Sequence, residues 1–386
     1  TQSIASAASD VYKRQRKLRT MIRMYRRVAG VGLALTMLVA GCGHSSSTSQ
    51  GPATSSTPVP SVATSSTRAA SATSQAARDL PDPHTLRGLT EVPELPDPKP
   101  VEGSSAQKLP VTVTDVEGNK VTIKSTSRIL ALDLYGTLSR TLIGLGLGDK
   151  IVGRTVSSTE KQLHDRPVVT ENGHVLNVEA VAGLKPSVII ADRSVGPKEA
   201  LDQLRKSGIP VVLVDPHRSV DSTPQLIRTI ADAVGKPDAG EALVKRTQEQ
   251  IDQAKKQIAA WKPAKPMRVA FLYVRGNAGV FFILGSENGA SELIQGVGAD
   301  DVASDKGITT LVPANAESLV SINPDAIFVM RDGLASTGGM KGLLARAGVA
   351  NTTAGRKQRV ISIPDGISLS FGPQTGEVLT ACLLYT

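Results

Sequence analysis

Residues 179–190 read EAVAGLKPSVII, and residues 317–328 read ESLVSINPDAIF. In both stretches a glutamate is followed by an apolar residue five positions later and by a proline seven positions later. A short apolar run then begins, and such runs are typical of buried strands. The matching residues are Glu179, Leu184 and Pro186 in the first copy and Glu317, Ile322 and Pro324 in the second. This internal repeat predicts two lobes of similar structure.

Around the two repeats, short apolar runs rich in β-branched residues alternate with segments of helical periodicity. The predicted strands are Ile129–Leu132, Ile151–Gly153, Val188–Ala191, Val211–Val214, Val269–Val274, Ala326–Met330 and Val360–Ile363. Predicted helices between them include Leu138–Leu145, Lys198–Ser207 and Pro224–Val234. Such alternation indicates parallel α/β units, and continuous apolar strands indicate sheets that are covered on both faces.

One long helix is predicted between the repeats, over residues 238–262. The segment has no internal proline, and its apolar residues recur at helical spacing. They are Leu243, Ile251, Ala254, Ile258 and Trp261. The predicted fold is therefore α/β, with two similar Rossmann-like lobes over 109–237 and 263–381. The long helix joins them rigidly, and a ligand cleft lies between them, where strand ends face the crevice.

Both ends of the chain look foreign to the protein. The hexapeptide DVYKRQ at 10–15 and the tetrapeptide CLLY at 382–385 can be encoded by one DNA element read on opposite strands. We therefore expect residues 1–20 and 382–386 to derive from an adapter and set them aside from the fold. This leaves a final helix from Gln374 to Ala381 that is cut short.

Residues 21–41 have the pattern of a secretory signal peptide, with basic residues followed by an apolar run. The motif that ends at Cys42, VAGC, resembles a bacterial lipobox and predicts a lipidated cysteine that anchors the chain to the membrane. Residues 42–108 are rich in Ser, Thr, Ala and Pro and are predicted to form a disordered tether.

Most of the excess of basic residues lies in 1–41, so the net charge gives no argument for binding of nucleic acid.

The strand segment RVAFLYVRG at 268–276 carries Tyr273 and Arg275 two positions apart. Alternation along a strand places both side chains on one face. A neighbouring cation favours the ionised form of a phenol, and tyrosine is a known ligand of haem iron. The alternative interpretation is an amphipathic strand residue beside a surface charge.

The chain resembles the lipid-anchored substrate-binding components of ABC importers for ferric siderophores, cobalamin and haem. The two repeats carry this resemblance, together with LIGLGLGDKIVG at 142–153 and KEALDQLRKSGIPVV at 198–212. It extends over most of the predicted folded chain. The resemblance implies that Glu179 and Glu317 dock on arginines of a permease, although each could simply be a capping or solvated residue.

Within this class, the chain is most similar to the actinobacterial haem-binding lipoproteins of the HmuT-like group. That resemblance implies that His174 and Tyr273 are the axial ligands of a haem iron and that Arg275 supports the tyrosine. Met330, Phe281 and Phe282 are candidate porphyrin contacts, with core packing as the alternative. We expect a monomer that delivers ferric haem to an ABC importer.

Three alternatives remain open. The first is a ferric siderophore or a cobalamin-like ligand, although the 3% aromatic content counts against a siderophore site. The second is a tethered cell-envelope enzyme, but the sequence contains no G-x-S-x-G, H-E-x-x-H or P-loop motif. The third is a structural lipoprotein that keeps the fold without a ligand.

Overall fold

The computed structural model describes residues 81–102, 106–261, 263–276 and 279–385. The predicted signal peptide, Cys42 and the larger part of the predicted tether lie outside these residues. In the described part of the chain, no helix combines the length and the apolar character needed to cross a membrane.

Fifteen strands and twelve α-helices are described. The strands are β1 Leu89–Glu91, β2 Val111–Thr114, β3 Lys120–Ile123, β4 Ile129–Leu132, β5 Ile151–Gly153, β6 Thr170–Glu171, β7 Val175–Leu176, β8 Val188–Ala191, β9 Val211–Leu213, β10 Arg268–Arg275, β11 Val280–Ile283, β12 Asp300–Asp301, β13 Val312–Pro313, β14 Ala326–Met330 and β15 Val360–Ile363. The helices are α1 Thr137–Gly144, α2 Val178–Gly183, α3 Lys198–Lys206, α4 Thr223–Ala233, α5 Pro237–Trp261, α6 Ala290–Gly296, α7 Ala316–Ile322, α8 Arg331–Ser336, α9 Gly339–Leu344, α10 Thr353–Lys357, α11 Asp365–Ser368 and α12 Thr375–Tyr385.

In the N-terminal lobe, four parallel strands form a sheet in the order β5-β4-β8-β9. Alternate residues of each strand belong to apolar clusters on opposite faces. Ile190 of β8 shares a cluster with residues of α1 and α4, whereas Ile189 shares one with residues of α3. Because both faces are covered, the strands read as continuous apolar runs in the sequence.

The C-terminal lobe contains a sheet in the order β1-β15-β14-β10-β11-β13, and β12 also pairs with β10. Strands β1, β15, β14 and β10 run parallel, whereas β11 and β13 are antiparallel to their neighbours. Phe271 of β10 and Phe328 of β14 lie in the apolar cluster that also contains Ile251 of α5, which we name the linker-side cluster. Leu272 lies in the cluster on the other face of the sheet.

Helix α5 joins the cores of both lobes. Leu243 and Val244, in its first half, are buried in the N-terminal lobe, and Ile251 and Ile258, in its second half, are buried in the linker-side cluster. The helix has 25 residues and is about 37 Å long at the usual rise per residue. The predicted architecture of two α/β lobes joined by one long helix is thereby confirmed.

The prediction that residues 42–108 form a disordered tether is wrong for the part that the structure describes. β1 adds in parallel to β15 of the C-terminal lobe, and Val92 is fully buried behind it. Further along, the Asp97 carboxylate accepts the backbone N–H groups of Lys161 and Gln162 in the N-terminal lobe, at 2.8 and 2.9 Å. We name residues 89–102 the strap, because they contact both lobes.

The strap packs against both lobes although its average composition predicts disorder. Its few apolar residues are spaced so that Val92 and Leu95 reach the linker-side cluster. The edge strand of a sheet also has unpaired backbone N–H and C=O groups, with which another strand can pair. The guanidinium of Arg331 adds hydrogen bonds to the Val92 carbonyl and to the Glu94 carboxylate.

Residues 382–385, which the sequence predicts to derive from an adapter, continue the final helix. Helix α12 runs from Thr375 to Tyr385 and does not stop at Ala381. Cys382 and Leu383 are buried in the linker-side cluster. Their apolar character fits the helical period, so they pack as core residues whatever their origin.

Candidate ligand-binding cleft

Tyr273 and Arg275 lie near the carboxyl end of β10, on the face that carries the linker-side cluster. Tyr273 is half-buried against that cluster. The guanidinium carbon of Arg275 is 5.0 Å from the centroid of the Tyr273 ring, a distance that allows a cation–π interaction. The strand alternation therefore places the two side chains together, as the sequence predicts.

Two further residues hold the Arg275 guanidinium. Its Nη2 donates to Oδ1 of Asp365 at 2.5 Å and approaches the Met330 sulfur at 3.3 Å. Its Nη1 is buried and has no hydrogen-bond partner among the described residues. Gly333 makes room for this nitrogen, because a Cβ added there would collide with Nη1.

Asp365 was not identified from the sequence, because it is far from Arg275 in the chain and follows a different strand. It begins α11 directly beyond β15, and its second carboxylate oxygen accepts the backbone N–H of Asp332 at 2.8 Å. Burial raises the pKa of the Asp365 carboxyl, and the neighbouring Arg275 partly opposes that rise. The ends of β10, β14 and β15 thus converge on one guanidinium.

The two candidate phenylalanines face opposite sides of the sheet. Phe282 pairs directly with Tyr273 across the β10–β11 ladder and shares its face. Phe281 pairs with Val274 and is buried in the cluster on the far face, with the Arg346 guanidinium over its ring. The hypothesis that Phe281 touches a ligand beside Tyr273 is therefore wrong, because successive strand residues point to opposite faces.

His174 lies in the exposed turn between β6 and β7, in the other lobe. Asn172 and Gly173 take positive φ angles of 51° and 90°, which tighten the turn. The His174 backbone carbonyl accepts the N–H of Gly196 at 2.9 Å. Its ring makes no hydrogen bond to the described residues, and no hydrogen bond or ring contact among them joins it to Tyr273.

The N-terminal lobe contains a second tyrosine–arginine pair that the sequence did not reveal. Tyr135 follows β4 and is half-buried against the linker-side cluster of the opposite lobe. The guanidinium carbon of Arg218, which follows β9, is 5.4 Å from the Tyr135 ring centroid. Burial raises the pKa of the Tyr135 phenol, and the nearby Asp192 carboxylate adds to the rise.

Two fully buried carboxylates share Arg218. Asp192 follows β8 and forms a close ion pair with the guanidinium, whereas Asp133 follows β4 with an oxygen 3.7 Å from it. Asp192 also accepts from the backbone and hydroxyl of Ser194, but Asp133 Oδ1 has no partner among the described residues. Burial, reinforced by the Asp192 charge, raises the pKa of Asp133 to about 7. Burial also raises the pKa of Asp192, and the close ion pair with Arg218 opposes that rise.

Glu179 and Glu317 occupy equivalent places in the two lobes. Each lies exposed in the first turn of its helix, α2 or α7, and each helix is capped by an asparagine two residues earlier. The caps, Asn177 and Asn315, accept a backbone N–H from the first turn. The repeat in the sequence therefore corresponds to a repeated unit of capped helix, proline and central strand.

Comparison with known proteins agrees with this architecture. A family model described as "Periplasmic binding protein" matches residues 134–366. The chain belongs to the periplasmic binding protein family. The membership inferred from the repeats is thereby confirmed, and it classes the chain among extracytoplasmic substrate-binding proteins.

Among solved structures, this periplasmic binding protein is similar to the heme binding protein HmuT. The two are 49% identical with a TM-score of 0.77, and the match covers 79% of this chain and all of the other. Solved variants of HmuT carry alanine in place of a histidine, a tyrosine or an arginine.

The chain is also similar in sequence to other binding proteins. An uncharacterized ABC transporter substrate-binding lipoprotein of Bacillus subtilis (strain 168), YvrC, is 27% identical over 267 residues, which cover 69% of this periplasmic binding protein and 82% of the relative. A cobalamin-binding protein of Halobacterium salinarum is 26% identical over 275 residues, which cover 69% and 72%.

Proposed function

We propose that this protein binds one ferric haem between its lobes and delivers it to an ABC importer. The observation that carries the proposal is the arrangement around Tyr273. A half-buried phenol lies at a strand end, a guanidinium covers its ring, and Asp365 holds that guanidinium from the start of α11, directly after β15. A fixed cation favours the phenolate, which is a suitable ligand for ferric iron.

The solved variants of HmuT support the same three residues. The histidine and tyrosine replaced there are as far apart in that sequence as His174 and Tyr273 are here. The replaced arginine follows its tyrosine by two positions, as Arg275 follows Tyr273. Those substitutions were made in a protein described as heme binding, and this chain is about half identical to it.

Each residue has a distinct role in the proposed site. Tyr273 supplies an anionic ligand to the iron from the C-terminal lobe, and Arg275 stabilises its charge. His174 supplies the second axial ligand from the N-terminal lobe, and its exposed turn leaves the ring free to reach a ligand in the cleft. Phe282 and Met330, on the same side of the sheet as Tyr273, offer apolar contact to the porphyrin.

Delivery to an importer rests on the surface of the two lobes. We propose that Glu179 and Glu317 dock on basic residues of a two-fold symmetric permease, because the repeat gives the two carboxylates equivalent positions. We also propose that Cys42 is lipidated and anchors a monomeric protein to the outer side of the cell membrane.

Cobalamin is the second candidate ligand. The similarity to a cobalamin-binding protein of Halobacterium salinarum favours it, but it gives no role to the pairing of Tyr273 with Arg275. Haem therefore explains more of the site.

A titration with haemin and with cyanocobalamin tests the proposal. Haemin is expected to give a saturable one-to-one spectrum with an iron–phenolate charge-transfer band that Tyr273→Phe abolishes. His174→Ala should shift the spectrum with a smaller loss of affinity, whereas His164→Ala, at an exposed histidine of the same lobe, should change neither. Saturable binding of cyanocobalamin without any haemin spectrum would replace haem by cobalamin.

A further inference from the structure

Each lobe contains an arginine in contact with both a tyrosine and an aspartate. In each, a half-buried tyrosine lies near a strand end with a guanidinium about 5 Å from its ring centroid, Arg218 over Tyr135 and Arg275 over Tyr273. Each guanidinium is in turn bound by an aspartate that follows a different strand of the same sheet, Asp192 or Asp365. The proposed function uses the pair in the C-terminal lobe and leaves Tyr135 without a role.

Tyr135 is placed to meet a ligand between the lobes. It belongs to the N-terminal lobe, yet it packs against the same linker-side cluster as Tyr273 and Met330. Nearby, the Thr137 hydroxyl donates to the Ser370 carbonyl of the C-terminal lobe at 2.5 Å, so the lobes meet beside it. Neither the Tyr135 nor the Tyr273 hydroxyl has a hydrogen-bond partner among the described residues.

The two phenols differ in electrostatic surroundings. Arg275 has one carboxylate partner, Asp365, whereas Arg218 is shared by Asp192 and Asp133. Because the raised pKa of Asp133 leaves it largely protonated below about pH 7, each cation has one close ion-pair partner, and the phenols differ instead in that burial raises the pKa of Tyr135. Tyr135 consequently retains its proton and offers an O–H donor. A donor of this kind matches a carboxylate, and the two propionates are the carboxylates of haem.

We propose that Tyr135 is a ligand-contacting residue that donates a hydrogen bond to a propionate of the bound haem and does not ligate the iron. This inference rests on the proposed function. It gives the N-terminal lobe a polar contact that distinguishes haem from a porphyrin without free carboxylates. Tyr273 then binds the iron, and Tyr135 binds a propionate.

Haemin and haemin dimethyl ester, whose carboxylates are blocked, provide the test. Both are titrated in one detergent solution into wild type, Tyr135→Phe and Tyr273→Phe. Tyr135→Phe should weaken haemin binding by roughly 10-fold to 100-fold, the usual range for one hydrogen bond to a charged group, with the iron–phenolate band intact. The same substitution should weaken binding of the ester less, because an uncharged ester carbonyl accepts only a weaker hydrogen bond than a carboxylate. Tyr273→Phe should lose the band with both ligands.

Three results would overturn the inference. They are that Tyr135→Phe leaves haemin affinity at the wild-type value, that it weakens haemin and ester equally, or that it removes the iron–phenolate band. The first result would mean that Tyr135 does not contact haem. The second would mean that its partner is not a carboxylate, and the third that Tyr135 ligates the iron. A wild type that gives no saturable haemin spectrum contradicts the proposed function itself, and that result is separate from these three. Thermal melts of both variants check that each is folded.

Discussion

Arg275 and Asp365 are 90 residues apart in sequence, and Arg275 Nη2 donates to Asp365 Oδ1 at 2.5 Å. Arg275 is therefore not a free surface cation beside Tyr273. One of its terminal nitrogens is held by a carboxylate, and the other is buried without a partner among the described residues. The carboxylate is fixed in turn by the Asp332 backbone. The position of the cation over the phenol ring is thus set from outside the strand that carries both residues.

Removing the Asp365 carboxylate should weaken haemin binding through Arg275. We expect Asp365→Ala to lower affinity by roughly 10-fold to 100-fold, the usual effect of losing a residue that orients a ligand. Asp365→Asn keeps an acceptor for Arg275 and should cost less. Haemin titrations of Asp365→Ala, Arg275→Ala and the double variant form a cycle. Additive losses would show that Asp365 does not act through Arg275.

The sequence predicted most of the secondary structure because the patterns that define it are local. Strand β10, helix α5 and the repeated α2–β8 and α7–β14 units each carry their periodicity within one segment. Strand β1 could not be predicted, since its pairing depends on an edge of β15 that lies at the other end of the chain.

The candidate site was predictable only in part, for the same reason. Tyr273 and Arg275 share a strand, so alternation alone brings them together. Asp365 and Arg218 meet their partners only through the topology of the sheets. Phe281 was misplaced because the pairing register of β10 and β11 decides which phenylalanine faces Tyr273, and a single sequence does not give that register.

Stability should depend on pH through Asp133. Its pKa is raised to about 7, mainly by burial, whereas an unfolded aspartate titrates near 3.9. Between these values the folded state binds the extra proton, so the contribution of Asp133 to stability is complete at low pH and is lost as pH rises toward about 7. The difference in unfolding free energy between wild type and Asp133→Asn should fall by up to about 1.4 kcal/mol per pH unit in this window.

Urea unfolding of both proteins from about pH 4 to about pH 8 measures that difference. Above about pH 7.5 it should become constant, because Asp133 is then ionised in both states. A constant difference across the whole range would show that Asp133 keeps an ordinary pKa in the folded protein.

The contact between the strap and the N-terminal lobe should stabilise the fold. Asp97 accepts the first two N–H groups of the 3-10 helix Lys161–Leu163. Loss of such a cap costs about 0.5–2 kcal/mol, so Asp97→Ala should lower the unfolding free energy by that amount. Asp149→Ala removes an exposed carboxylate that, among the described residues, pairs with its neighbour Lys150, and it should have little effect. Equal stability of the two variants would mean that the strap does not hold the lobe.

Docking on a permease should require both repeat glutamates. Glu179 and Glu317 are exposed in the first turns of equivalent helices, so the double charge reversal to arginine should abolish haem import without changing haemin affinity. Glu199 provides the matched control, because it is also exposed in the first turn of its helix but lies outside the repeat. Glu199→Arg should import normally. Uptake of haem by cells that express each variant is the measurement, with haemin titration of the purified proteins beside it. If the double variant imports at the wild-type rate, the permease contacts another surface of the two lobes.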